Sequence, residues 1–93
     1  MSKIIIPTPL RKFTNNQTTL ETSADTVLEV IRELTIKYPD LKNQIIDKQG
    51  GIRKYIRIYL DDTDIKTLDQ EKTEVSAGSV VSIIPAIAGG NIA

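Results

Sequence analysis

Three groups of residues in this sequence have the types and spacing to do chemistry. The first is Asp61, Asp62 and Asp64. Carboxylate clusters hold hard cations through their oxygens, but the glycine and closing glutamate of a calcium loop are missing here, and a solvated turn after a strand accounts for the acids. The second is Arg53, Lys54 and Arg57 beside Tyr55 and Tyr59. Tyrosines next to cations can stack nucleic-acid bases. A solvated strand face or a protein-docking patch fits better, because 12 basic and 12 acidic residues leave a net charge of zero and non-specific nucleic-acid binding depends on phosphate neutralisation. The third is the C-terminal run Ala86-Ile87-Ala88-Gly89-Gly90, followed by Asn91, Ile92 and Ala93. Glycine has no Cβ, so an uncharged stretch ending in two glycines can thread a narrow channel and offer a carboxylate to another protein's active site. Gly50-Gly51 is also a glycine pair, but its setting reads as an internal loop.

Absent residue types narrow the chemistry further. There is no Cys, which excludes disulfides, thiolate metal sites, iron–sulfur clusters and a catalytic thiol on this chain. There is no His, the usual general base at neutral pH and the commonest metal ligand. No glycine-rich phosphate loop precedes a helix, and no serine–base pair can be assembled. Charge is uneven: residues 1–60 carry 10 basic and 6 acidic side chains, and residues 61–93 carry 2 and 6. No apolar run approaches the roughly 20 residues of a membrane span. The N-terminal segment, which Pro7 interrupts, does not read as a signal peptide. A cytoplasmic protein with neither nucleic-acid nor membrane partners is expected.

The elements that must position these groups are legible from periodicity. A chain of 93 residues makes one small domain. Ile4 to Ile6 forms a β-branched run stopped by Pro7, with Ile4 and Ile6 inward. Asn15-Asn16 turns the chain into a second strand, Gln17 to Thr22, paired as a hairpin. Thr26 caps a helix in which Val27, Val30, Ile31, Leu34 and Tyr38 form one stripe. Glu29 is placed to complete a capping box, Glu33 and Lys37 to form an i, i+4 pair, and Pro39 to end the helix. Leu41, Ile45 and Ile46 suit a short helical turn closing one end of the core. Tyr55 to Leu60 is a strand with Ile56, Ile58 and Leu60 inward and Tyr55, Arg57 and Tyr59 outward. Ile65 and Leu68 anchor a short polar piece. Ser79 to Ile84 is the last strand, with Val81 and Ile83 inward and Val80, Ser82 and Ile84 outward; if exposed, it could pair with another copy. The order implies an α+β domain with one main helix on one face of a sheet of four to five strands.

These segments resemble the ubiquitin-like β-grasp sulfur carriers, the group that includes the small subunit of molybdopterin synthase and the thiamine-pathway carrier. Within it, the chain most resembles the carrier that serves a cysteine synthase. The likeness rests on Ile6-Pro7-Thr8 with Leu10-Arg11, Asp25-Thr26 opening the helix, Ile58-Tyr59 with the acidic turn behind it, and Ile84-Pro85-Ala86 running into Ala88-Gly89-Gly90. The resemblance implies a β-grasp domain over residues 1–85 and a flexible tail over 86–90. It implies a carrier rather than an enzyme, binding no cofactor itself. An adenylating enzyme of the ubiquitin-activating type would use ATP to activate the carboxylate of Gly90, and sulfur would displace AMP to leave a thiocarboxylate. The acceptor would be a pyridoxal-phosphate-dependent synthase of cysteine or of homocysteine on the way to methionine. Residues 91–93 lie beyond the family's active terminus, so cleavage between Gly90 and Asn91 is expected, by a zinc metallopeptidase of the deubiquitinase-like type.

Strand parity adds a docking surface. Tyr59 and Ile84 face outward on neighbouring strands, and an exposed Ile beside an exposed Tyr suggests an apolar partner patch. Leu10 on the first turn is a candidate third member, and Ala86, Ile87 and Ala88 continue toward the diglycine. Alternatives within the same fold are sulfur delivery to molybdopterin or a thiazole, a modifier joined to target lysines through Gly90, and a plain binding module.

Overall fold

The computed structural model describes residues 1–85; the tail from Ala86 onward, with Gly89, Gly90 and Asn91, lies outside the described residues. Strand β1 spans Ser2–Ile5. Pro7 has no N–H for a ladder, so the strand gives way to a 3-10 turn, Thr8–Phe13. Asn15 and Asn16 both have positive φ, a conformation that asparagine tolerates better than most residues. Buried Thr14 braces this turn by donating its Oγ1 proton between the carbonyls of Arg11 and Gln17, at 3.2 and 3.1 Å. The hairpin partner β2 is Thr19–Thr22, starting two residues later than the alternation suggested.

Helix α1 spans Val27–Lys37. The Glu29 backbone N–H donates to Thr26 Oγ1 at 3.2 Å, as the cap required. The side-chain pairings differ from expectation. Glu29 pairs with Arg32 at 3.3 Å, so the reciprocal half of the capping box is not made. Glu33 accepts from buried Thr22 Oγ1 at 2.9 Å and not from Lys37. A hydroxyl buried under the helix needs a partner more than an exposed lysine does. Helix α2, Pro39–Ile45, buries Leu41 and Ile45 fully and closes one end of the core, as their spacing implied. Gly50, at φ +87°, turns the following loop, where Asp47 Oδ1 accepts from the N–H groups of Gln49 and Gly51.

Strand β3 is Ile56–Leu60, β4 is Thr63–Asp64 and β5 is Val80–Pro85. The sheet order is β2-β1-β5-β3-β4. Strand β5 runs parallel to β1 and antiparallel to β3, so the last strand is central, with no free edge to pair with another copy. Between β4 and β5 the chain makes two 3-10 turns, Ile65–Thr67 and Gln70–Lys72. Ile65 is buried under the sheet, whereas Leu68 is 44% exposed and anchors nothing: the 3-10 turn closes at Ile65 and carries Leu68 outward. The core lies between α1, α2 and the inner sheet face, built from Ile4, Val27, Val30, Leu34, Val81 and Ile83 among others.

Candidate functional site

Opposite the helices, the sheet has an outer face set by the register. One row across it reads Ile5, Ser82, Tyr59 and Asp64, on strands β1, β5, β3 and β4. In the next row Ile84 lies opposite Arg57. Ile84 is 42% exposed and Tyr55 is 40% exposed, and Tyr59, Ile5 and Val80 are half-buried. Tyr59 and Ile84 therefore do share a face on neighbouring strands, one register step apart, as parity required.

Leu10 does not join them. It is 6% exposed and belongs to the core, because the 3-10 turn after Pro7 rolls it inward. Its edge borders a groove of about 520 Å3 with Phe13, Tyr55 and Pro85, the last described residue. Two members of the face were missed. Ile5 is outward because its neighbours Ile4 and Ile6 are inward, a signal present in the triple-Ile run. Asp64 comes alongside Tyr59 because the two-residue turn at Asp61-Asp62 folds β4 back on β3.

Asp64 organises the rim of this face. Its Oδ2 accepts from Arg57 Nη1 at 3.2 Å, and its Oδ1 accepts from the Lys66 backbone N–H at 2.9 Å. That N–H, followed by the Arg57 hydrogen bond and charge and by the charge of Lys66, holds the carboxyl below its ordinary value against an opposing desolvation. Asp61 turns elsewhere: its Oδ1 accepts from the Val80 N–H at 3.1 Å. The acidic triplet thus divides its work between two turns, and among the described residues no group of His, Cys, Asp or Glu is arranged to hold a metal. No helix among them is long and apolar enough to cross a membrane.

The outer face, with Ile84 exposed, lies beside the point where the chain leaves the central strand β5. Comparison with known proteins decides the class: residues 4–90 match the ThiS family, through the second glycine of the diglycine. The chain belongs to the ThiS family. Its relatives there are small ubiquitin-like sulfur carriers rather than enzymes. Sulfur carrier protein CysO of Mycobacterium tuberculosis is 33% identical over 89 residues, which is 94% of this chain and 96% of that protein. A chain of the Amycolatopsis orientalis BexX/CysO complex superposes with a TM-score of 0.87 at 29% identity, covering 97% of this chain and all of that one. The small archaeal modifier protein 1 of Methanosarcina acetivorans superposes at 0.83 with 26% identity, over 96% of this chain and 95% of the other. The fold is therefore the β-grasp, and this member of the ThiS family is a sulfur carrier of the CysO type.

Proposed function

We propose that this carrier holds sulfur on Gly90 for the synthesis of a sulfur amino acid. The observation that supports this reading is a family match that runs through Gly90, in a chain similar over nearly its whole length to CysO. A zinc-dependent peptidase of the deubiquitinase-like type hydrolyses the Gly90–Asn91 bond and frees the Gly90 carboxylate. An activating enzyme joins that carboxylate to the AMP moiety of ATP and releases pyrophosphate. Sulfide attacks the acyl carbon and AMP departs, leaving a thiocarboxylate. A pyridoxal-phosphate-dependent synthase then takes the sulfur into cysteine or homocysteine. None of these steps needs a base, thiol or metal from the carrier, which suits a chain without His or Cys. The globule contributes its outer face, with Tyr59 and Ile84 as the apolar contacts, while Ala86, Ile87 and Ala88 enter the partner's channel. That a CysO of Amycolatopsis orientalis forms a complex with another protein supports recognition of this kind.

Intact-mass measurement on protein isolated from its own cells tests the reading. The expected species ends at Gly90 and is heavier than the plain acid by the difference between sulfur and oxygen. Only chains retaining Asn91, or only the plain acid after incubation with ATP, sulfide and cell extract, would sink it. The likeness to an archaeal modifier protein favours one second reading, in which the same activated Gly90 is joined to lysines. Higher-mass covalent conjugates in the lysate would identify that role.

A further inference from the structure

Leu28 and Leu68 are apolar residues that the core does not use. On α1 the buried positions are Val27, Val30, Ile31 and Leu34; Leu28 falls off that stripe and is 37% exposed. Leu68 leaves the 3-10 turn at Ile65–Thr67 pointing outward, 44% exposed. Though distant in sequence, the two border one open groove of about 450 Å3. Helix α1 covers the inner face of the sheet, so this groove lies away from Tyr59 and Ile84.

The wall opposite α1 is the 3-10 turn Gln70–Lys72. The Asp69 N–H donates to Thr73 Oγ1 at 3.0 Å, and the N–H groups of Lys72 and Thr73 donate to the carbonyls of Asp69 and Gln70, each at 3.0 Å. Thr73 is itself buried, which ties the wall to the body. A surface held in this way before binding loses little entropy on binding.

The rim is acidic. Asp69 and Glu71 border the groove against Lys72. Asp69 precedes the turn without capping it through its side chain. Neither carboxylate takes part in the ion pairs found among the described residues, Arg32–Glu29 and Arg57–Asp64. The surrounding chain keeps the same sign, with 6 acidic and 2 basic side chains over residues 61–93. Such a rim repels a nucleic-acid backbone or an anionic membrane and attracts cationic groups.

We propose that this groove docks a basic segment of a partner protein, which seats leucine-sized side chains against Leu28 and Leu68 and sets lysine or arginine against Asp69 and Glu71. Apolar contact supplies the affinity, and the charge pairs select the partner. The groove and the outer face lie on opposite sides of the sheet, so such a partner leaves Tyr59 and Ile84 free.

The test is an NMR titration of the isotopically labelled full chain with a synthetic hexapeptide of two leucines flanked on each side by two lysines, and with its counterpart in which glutamates replace the lysines. Saturable shifts are expected at the amides of Leu28, Leu68 and Glu71, with the glutamate peptide about tenfold weaker. Leu68→Ser, with its fold checked by the dispersion of the same spectrum, is expected to bind the lysine peptide about tenfold more weakly. The double variant Asp69→Lys/Glu71→Lys is expected to lose the preference for that peptide. Ile36 is 79% exposed on the same helix but does not line the groove, so Ile36→Ser is expected to bind as the unaltered chain does. Equal binding of the two peptides by the unaltered chain, an Ile36→Ser loss matching that of Leu68→Ser, shifts confined to the outer face, or no saturable shift would overturn the proposal. So would stronger shifts of these amides by phosphatidylglycerol vesicles, or a dimer in sedimentation that Leu68→Ser abolishes.

Discussion

Ile83 and Ile84 are neighbours of the same residue type, and the sheet sends them in opposite directions. Ile83 is 1% exposed and packs into the core, while Ile84 is 42% exposed on the outer face. The inner face is mainly aliphatic, with Ser2 and Thr22 buried at one end of it, and meets two helices. The outer face interleaves Ile84 and Tyr59 with Arg57, Ser82 and Asp64, and no element of the described chain covers it. The pair separates two demands on one strand. The inner residue answers to the fold, and the outer one is left free of that demand.

The sharpest way to break that distinction is to truncate each isoleucine. Ile83→Ala is expected to cost about 2–5 kcal/mol of stability by denaturant melt, whereas Ile84→Ala should stay within about 0.5 kcal/mol and weaken binding to the activating enzyme instead. If the two variants lose similar stability, the faces are not divided as described. Leu10→Ala extends the comparison, because Leu10 sits on a surface turn yet packs inward. A loss of about 2–3 kcal/mol is expected, with binding unchanged in the fraction that remains folded; a binding defect without a stability loss would return Leu10 to the docking face.

Tyr59→Asp probes the face itself. ATP-dependent charging is expected to fall more than tenfold, about 1.4 kcal/mol. The new carboxylate lies directly opposite Asp64, and like charges across strands cost up to about 1 kcal/mol. Tyr59→Ala should show the same charging defect without that repulsion. Charging that survives both changes would remove Tyr59 from the interface.

The smallest effect belongs to Asp64→Asn. The Asp64 carboxyl titrates below its ordinary value in the folded chain. It therefore stabilises the fold above the ordinary carboxylate pKa, and this contribution disappears as pH falls through the folded value. The variant should be less stable than the parent at neutral pH, by no more than about 1 kcal/mol. The gap should close on acidification, and a gap independent of pH would show that the carboxylate's charge is not what Asp64 contributes.

Much of this molecule can be read from local signals. Alternation placed Ile56, Ile58, Val81 and Ile83 inward, and a period of 3.6 placed Val30, Ile31 and Leu34 under the sheet. What escaped depends on partners far away in sequence. The centrality of β5 follows from a parallel pairing with β1, some 77 residues distant, which nothing in either strand announces. Leu10 looked exposed because the 3-10 turn after Pro7 leaves no periodic trace. Glu33 was matched to Lys37 by spacing alone, but the need of buried Thr22 for an acceptor arises only once helix and sheet meet. Of the site, Tyr59 and Ile84 were legible as a pair, while the Arg57–Asp64 clamp beside them required the β3–β4 hairpin to form.

The placement of β5 has a mechanical consequence. Any force applied through the chain beyond Pro85 loads this strand along its own axis, and ladders to β1 and β3 flank it on both sides. Their hydrogen bonds lie across the direction of pull, so they resist in shear, all together, instead of unzipping one at a time. A pull on the chain beyond Pro85 will therefore tend to move the globule whole before it unravels it.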